Sequence, residues 1–188
     1  MYNTGQVCCA SKRFLVHKNV ASEFSKKAVE KISAIKAGMP SDEDSELGCL
    51  ISERAAIKVE DQVNLTVSQG GKVILGGNRN GAFYDPTVII DVPKTADVAI
   101  DMEIFGPVVP IITYDTIEEA IEIANSSKFG LCGCVFSQNM KNAFYVANAL
   151  ECGGSVINGA SFFRSFEMPF GGYKFSGIGK IGRASCRE

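Results

Sequence analysis

The chain has 188 residues, 46% of them hydrophobic, with a formal net charge of −2 and a single histidine. That is enough apolar material for one sizeable core, and too little charge bias for a surface built to hold nucleic acid or anionic lipid. No apolar run approaches the ~18 residues of a membrane span, and the N-terminus lacks the charged-then-apolar order of a signal peptide.

Extended and helical patterns alternate along the chain. Phe14-Leu15-Val16 reads as a strand, and Phe24, Ala28, Ile32 and Ile35 then recur at helical spacing until Gly38 and Pro40 stop them. A second helix follows Ser52, with Ala56, Val59, Val63 and Val67 on one face. Lys72 to Leu75 and the β-branched Thr87 to Ile90 read as strands, as does the apolar run Val108 to Thr113. Thr116-Ile117-Glu118-Glu119 has the form of a capping box for a helix through Ala120, Ile121 and Ala124. Cys132 to Phe136 is a short strand; Met140, Ala143, Phe144, Ala147 and Leu150 form another helical stripe; Gly154 to Ile157 closes as a strand. Buried strands alternating with amphipathic helices predict an α/β domain, a largely parallel sheet flanked by helices.

The cysteines are Cys8, Cys9, Cys49, Cys132, Cys134, Cys152 and Cys186. Their number is odd and their spacing fits no zinc site, and His17 alone adds no ligand set. They read as reduced thiols of a cytosolic (cytoplasmic) protein. Asn64-Leu65-Thr66 and Asn125-Ser126-Ser127 fit the glycosylation pattern only by chance in that setting. Gly177-Ile178-Gly179-Lys180-Ile181-Gly182 fits G-x-G-x-x-G literally, but no strand ends at Gly177, so it is set aside as a dinucleotide fingerprint.

Three segments carry chemistry. Asn3-Thr4-Gly5-Gln6-Val7-Cys8, with Arg13 five residues on, puts a thiol in a short loop ahead of an apolar run. A thiol so placed suits nucleophilic attack on an electrophilic carbon, with its own backbone N–H as an oxyanion donor; a lone free cysteine is otherwise a packing residue. Small residues before it, Gly5 among them, leave room for substrate. Cys9 has no assigned role. Glu103-Ile104-Phe105-Gly106-Pro107 joins a carboxylate, an acceptor only, to an aromatic ring and a fixed turn. Alone, Glu103 reads as a solvated charge and Phe105 as core. Pro169-Phe170-Gly171-Gly172-Tyr173-Lys174-Phe175-Ser176-Gly177 adds two glycines that permit positive φ and close backbone approach, and Lys174 reads as a surface or interface charge.

In this order, over about Asn3 to Gly179, these motifs resemble the catalytic half of the NAD(P)-dependent aldehyde dehydrogenases. The resemblance implies that Cys8 is the nucleophile that forms a thioester, that Glu103 accepts hydrogen bonds from the ribose hydroxyls beside the nicotinamide of NAD or NADP, and that Phe105 rests near the nicotinamide ring. It puts Phe170 near substrate and nicotinamide and Arg164 near the substrate mouth, and it makes Asn158 and Pro86-Thr87 scaffold positions. Arg164 points to a semialdehyde with a distal carboxylate, succinate semialdehyde first; its other reading is a surface salt bridge. Tyr2 stands where succinate-semialdehyde enzymes often carry an arginine. The implied partners are a small aldehyde and further subunits of a homo-oligomer in the intact enzyme, with no metal.

The resemblance also places a general-base glutamate, an oxyanion asparagine and most of the cofactor fold upstream of the nucleophile. The expectation is therefore a truncated catalytic domain over 1–179 and a tail over 180–188, for which a vector origin is one reading. By itself such a fragment is expected to be inactive. The rival readings are a CoA-acylating relative and a non-catalytic structural or oligomerisation fragment.

Overall fold

The chain divides into two units, Met1–Thr116 and Ile117–Glu188. The computed structural model describes residues 1–165 and 167–182. The end of the expected tail, 183–188 with Cys186, lies outside the described residues. Strand β1 (Phe14–His17) runs straight into helix α1 (Lys18–Ser33). His17 makes that junction: its Nδ1 accepts the Asn19 N–H at 3.2 Å while its Nε2 lies 3.0 Å from the Asp115 carbonyl oxygen. One neutral tautomer, with the proton on Nε2, satisfies both bonds.

Helix α2 (Glu53–Ser68) starts at an N-cap, Ser52, whose Oγ accepts the Ala55 N–H at 3.2 Å. Then come β2 (Lys72–Leu75), the short hairpin of β3 (Arg79–Asn80) and β4 (Phe83–Tyr84), β5 (Thr87–Ile90), the single-turn α3 (Asp97–Ile100) and β6 (Val108–Tyr114). The main sheet has the order β1-β6-β5-β2. β6 is parallel to β1 (Phe14 opposite Ile111) and to β5 (Thr87 opposite Val108), and only the edge strand β2 is antiparallel.

Alternation along the strands explains why the central runs are apolar without a break. Ile89, Val108 and Ile112 join Ala56, Val59 and Val63 of α2 in one core cluster. Val88, Val109 and Ile111, one residue out of phase, join Val16 and the α1 residues Ala21, Val29 and Ile32 in another. Each face of the sheet is thus covered by a helix, as parallel strands require.

Both helical stripes differ from expectation. α1 packs through Ala21, Val29 and Ile32, while Phe24 is 38% exposed, and the helix ends at Ser33 before Ile35. In α2 the buried position after Val63 is Thr66, not Val67, because the stripe steps by three there instead of four. The Thr66 hydroxyl donates to the Gln62 carbonyl at 2.8 Å, which satisfies it inside the core.

The second unit contains α4 (Ile117–Asn125), β7 (Phe129–Gly130), β8 (Cys132–Val135), α5 (Met140–Ala149), β9 (Gly154–Ile157) and β10 (Tyr173–Lys174). β8 and β9 are parallel, with Cys132 opposite Gly154 and α5 as the crossover helix. Asn139 caps α5 by accepting the Asn142 N–H at 3.2 Å. The Asn125 side chain joins α4 to the end of α5, donating to the Ala149 carbonyl at 2.8 Å and accepting the Glu151 N–H at 2.9 Å. No helix among the described residues is long and apolar enough to cross a membrane.

The sheet core makes a direct prediction. Ile89 has no solvent exposure, whereas Ile57 on α2 is 41% exposed. Ile89→Ala is expected to cost about 2–5 kcal/mol in urea unfolding of the 188-residue chain, and Ile57→Ala less than about 0.5–1 kcal/mol. Equal losses at both sites would contradict this placement of the core.

Candidate active site

The loop that carries Cys8 begins with an uncommon backbone. Asn3, Thr4 and Gly5 have φ of 47°, 57° and 74°, three successive left-handed residues. Such a run is unfavourable for side-chain-bearing residues and persists only where its surroundings hold it. Here Thr4 Oγ1 donates to the Gly48 carbonyl at 3.3 Å, and the Gln6 side chain accepts the Ile51 N–H at 2.8 Å. A turn closed by the Ala10 N–H on the Val7 carbonyl, 3.1 Å, then lifts Cys8 to the surface, with Cys9 half-buried beside it. The turn bond does not use the Cys8 N–H.

Gly5 serves a different end from the room for substrate expected of it. A Cβ there would lie 2.0 Å from the Gly106 carbonyl oxygen. The backbone of the nucleophile loop therefore runs directly against the loop of Glu103 and Phe105. Gly106 is hemmed in on its other side, where a Cβ would meet Val59 Cγ2 at 2.7 Å. The Thr87 N–H donates to the Pro107 carbonyl at 2.8 Å and fixes where this loop enters β6, which suits Thr87 as a scaffold residue.

The structure thus brings three of the expected site residues, Cys8, Glu103 and Phe105, onto two touching loops. Glu103 is exposed at its surface and tied by its backbone, its carbonyl accepting from Gln62 Nε2 at 3.0 Å. Partial desolvation beside the neighbouring loop raises the pKa of its carboxyl, and Lys12 and Lys58 pull it partly back. Phe105 is 41% exposed, far from the core residue its type alone suggests. Lys12 lies between the loops. Its Nζ donates to the Gly5 carbonyl at 2.5 Å and the Ile104 carbonyl at 3.1 Å, and sits 4.2 Å from the Phe105 ring centroid. Burial lowers the pKa of this ammonium, against which Glu103, Cys8 and Cys9 act to raise it. Sequence reasoning missed Lys12; its only sequence signal is a cation four residues after the nucleophile. Arg13, by contrast, anchors the scaffold, its Nη1 donating to the Ala99 carbonyl at 2.9 Å.

Arg164 and Phe170 belong to the second unit and form a pair there, the guanidinium carbon 4.5 Å from the ring centroid. Phe170 also exchanges two backbone bonds with Ile181, of 2.6 and 2.7 Å. Gly171 and Gly172 are needed for close approach: a Cβ on Gly171 would lie 2.2 Å from the Gly179 carbonyl oxygen, and one on Gly172 2.4 Å from Ser176 Cβ. The positive φ of this segment falls on Lys174, at 54°. Lys174 is no loose surface charge. Its Nζ donates to the Asn125 and Ser127 carbonyls at 2.7 and 2.9 Å and pairs with Glu151 at 2.6 Å. Asn158, at φ 53°, accepts the Ser137 N–H at 2.9 Å and donates to its carbonyl at 3.0 Å, a scaffold role.

Comparison with known proteins identifies the architecture. The model of the aldehyde dehydrogenase family matches residues 1–188. A lactaldehyde dehydrogenase of Methanococcus aeolicus is 44% identical over 181 residues, which are 96% of this chain and 38% of that protein. Among solved structures, aldehyde dehydrogenase 21 of Physcomitrella patens, in complex with the reaction product succinate, superposes with a TM-score of 0.90 at 40% identity, covering 96% of this chain and 37% of that one. Betaine aldehyde dehydrogenase of Staphylococcus aureus in complex with NAD+ gives a TM-score of 0.91 at 35% identity, covering 97% and 37%. The chain belongs to the aldehyde dehydrogenase family, and it spans about 38% of the length of the curated relatives it matches.

The raised pKa of Glu103 has a sign that can be checked. A carboxyl that holds its proton more tightly folded than unfolded makes its own ionisation weaken the fold as pH rises. Glu103→Gln is uncharged at every pH and loses that dependence. Its stability relative to wild type should therefore increase between about pH 4 and pH 7, read by urea unfolding of the 188-residue chain at both values. A decrease over that interval would mean that the carboxylate is stabilised in the fold, by Lys12 and Lys58 outweighing its desolvation.

Proposed function

We propose that this chain is the nucleophile-bearing part of an enzyme that oxidises an aldehyde to the carboxylic acid through a thioester on Cys8, with NAD or NADP as cofactor. The observation that carries the reading is an exposed Cys8 in a loop whose backbone, at Gly5, packs against Gly106 of the loop that holds Glu103 and Phe105. Because the chain is about 38% of the length of its relatives, turnover is proposed for the intact enzyme that includes it.

In this reading the Cys8 thiolate adds to the aldehyde carbon, and the carbonyl oxygen becomes the alkoxide of a thiohemiacetal, stabilised by the Cys8 backbone N–H. The nicotinamide cofactor, when bound, supplies the acceptor for the hydride that leaves this carbon. The chain's own residues fit that group. Glu103 offers an acceptor-only carboxylate suited to a pair of hydroxyls, and the exposed face of Phe105, two residues on, offers a surface for a flat ring. Hydrolysis of the thioester releases the acid and returns the thiol, with its activating base in the upstream part of the enzyme.

For the substrate we favour a short aldehyde with a distal carboxylate, succinate semialdehyde first, read by Arg164. Its guanidinium carbon lies 4.5 Å from the Phe170 ring centroid, and a planar guanidinium suits a two-point grip on a carboxylate. The succinate complex of the 40%-identical plant enzyme supports this choice. A second reading, a neutral hydroxyaldehyde, is favoured by the 44% identity to a lactaldehyde dehydrogenase.

In the intact enzyme, Cys8→Ser should lower turnover roughly a thousandfold or more. Mass spectrometry after brief incubation with aldehyde and cofactor should find an acyl group on Cys8, with fragmentation separating Cys8 from Cys9. An adduct on Cys9, or a Cys8→Ser enzyme that retains its rate, overturns the assignment.

Arg164→Ala separates the two substrate readings. Losing a charged hydrogen-bond pair of ~2 kcal/mol corresponds to roughly thirtyfold. The KM for succinate semialdehyde should rise by about that factor, and the KM for lactaldehyde should change little. Equal, small changes for both substrates would leave the exposed Arg164 as a surface residue with no part in substrate choice and favour the hydroxyaldehyde.

A further inference from the structure

We propose that Lys12 is a positioning residue that locks the cofactor-facing loop in register with the nucleophile; the proposal rests on the aldehyde-oxidising reading above. A lysine ammonium has three N–H donors and no acceptor. In this structure it is half-buried and turned toward both loops. One donor meets the Gly5 carbonyl, three residues before Cys8. Another meets the carbonyl of Ile104, the residue between Glu103 and Phe105. The charge itself lies over the Phe105 ring, 4.2 Å from its centroid. The charged and titratable groups facing it are Glu103 from the opposite loop and Cys8 and Cys9 from its own.

Such a tie is needed because Glu103 and Phe105 stand outside regular structure. α3 ends at Ile100 and β6 begins at Val108, so no helix or sheet ladder sets the loop between them. Gln62 holds the Glu103 carbonyl, and Gly106 rests against Gly5. Lys12 supplies the bond at Ile104 and covers one face of the Phe105 ring. An acceptor for two hydroxyls and a ring beside a hydride acceptor both lose effect when displaced by about 1 Å. With the ammonium gone, the Ile104 carbonyl loses this donor and Phe105 its cation, while the Cys8 turn keeps its own Val7–Ala10 bond. The expected defect is therefore in cofactor placement and hydride transfer.

The test uses the intact enzyme and Lys12→Met, which keeps the length of the stem and removes charge and donors. Lys12→Gln, which keeps a donor at shorter reach, serves where the methionine variant does not fold. Three quantities are read: thermal midpoint, KM for the nicotinamide cofactor, and the isotope effect with aldehyde deuterated at C1. The expected result is a cofactor KM raised about tenfold with aldehyde KM changed less than about threefold, and an isotope effect larger than wild type because hydride transfer has become slower. A lower thermal midpoint with cofactor KM and isotope effect unchanged makes Lys12 a stability residue only and overturns the proposal. If the wild-type enzyme itself forms no acyl group on Cys8, the underlying reading fails and takes this proposal with it. An adduct in wild type beside an unaltered Lys12 variant sinks the proposal alone.

Discussion

The contact on which the site depends is between two stretches of main chain. Gly5 and Gly106 approach so closely that the Gly106 carbonyl occupies the place of a β-carbon on Gly5. Neither loop is regular, so neither can position a reactive group by a hydrogen-bond ladder of its own. Pressed together, they acquire a fixed spacing from hard-sphere contact. Each is then anchored on its far side, one through Thr4 and Gln6 to Gly48 and Ile51, the other through Pro107 to Thr87 and through Gly106 to Val59. The parallel pairing of β5 with β6 transmits the placement of the sheet core to the loop that leads into β6.

The strands were readable because burial on both faces leaves a run of apolar residues without polar alternation, as Val88-Ile89 and Val109 to Ile112 show. The helices were readable as helices, but the face they bury was not. The step from Val63 to Thr66 buries a polar residue, and its local hydrogen bond to the Gln62 carbonyl lets it sit where a valine was expected. Phe24 misled for the same reason: an aromatic in an amphipathic pattern is presumed to face inward, and α1 is rolled so that it does not.

Within the candidate site, Cys8, Glu103 and Phe105 stood out because their motifs are short and contiguous. Lys12 did not, since its partner at Ile104 is 92 residues away and a lone lysine leaves no pattern to read. Lys174 shows the same limit in the second unit. In sequence it is a charge beside two glycines; in the fold it gathers the carbonyls that end α4 and the carboxylate of Glu151. Lysines that donate to main-chain carbonyls are tertiary devices. Their role follows from which backbone oxygens the fold leaves without a partner, a quantity that appears only once the chain is assembled.

The engagement of Lys12 bears on how the folded chain meets a protease. Trypsin must draw a lysine or arginine side chain out into its own pocket before it cuts. Lys12 and Arg13 are adjacent, yet one is held by two carbonyls and a ring and the other by the Ala99 carbonyl. Cutting at this dibasic pair requires the two loops to part first, so the rate of cleavage there measures how often they open. Lys26 and Lys31, exposed on α1, carry no comparable tether and report instead on the helix alone.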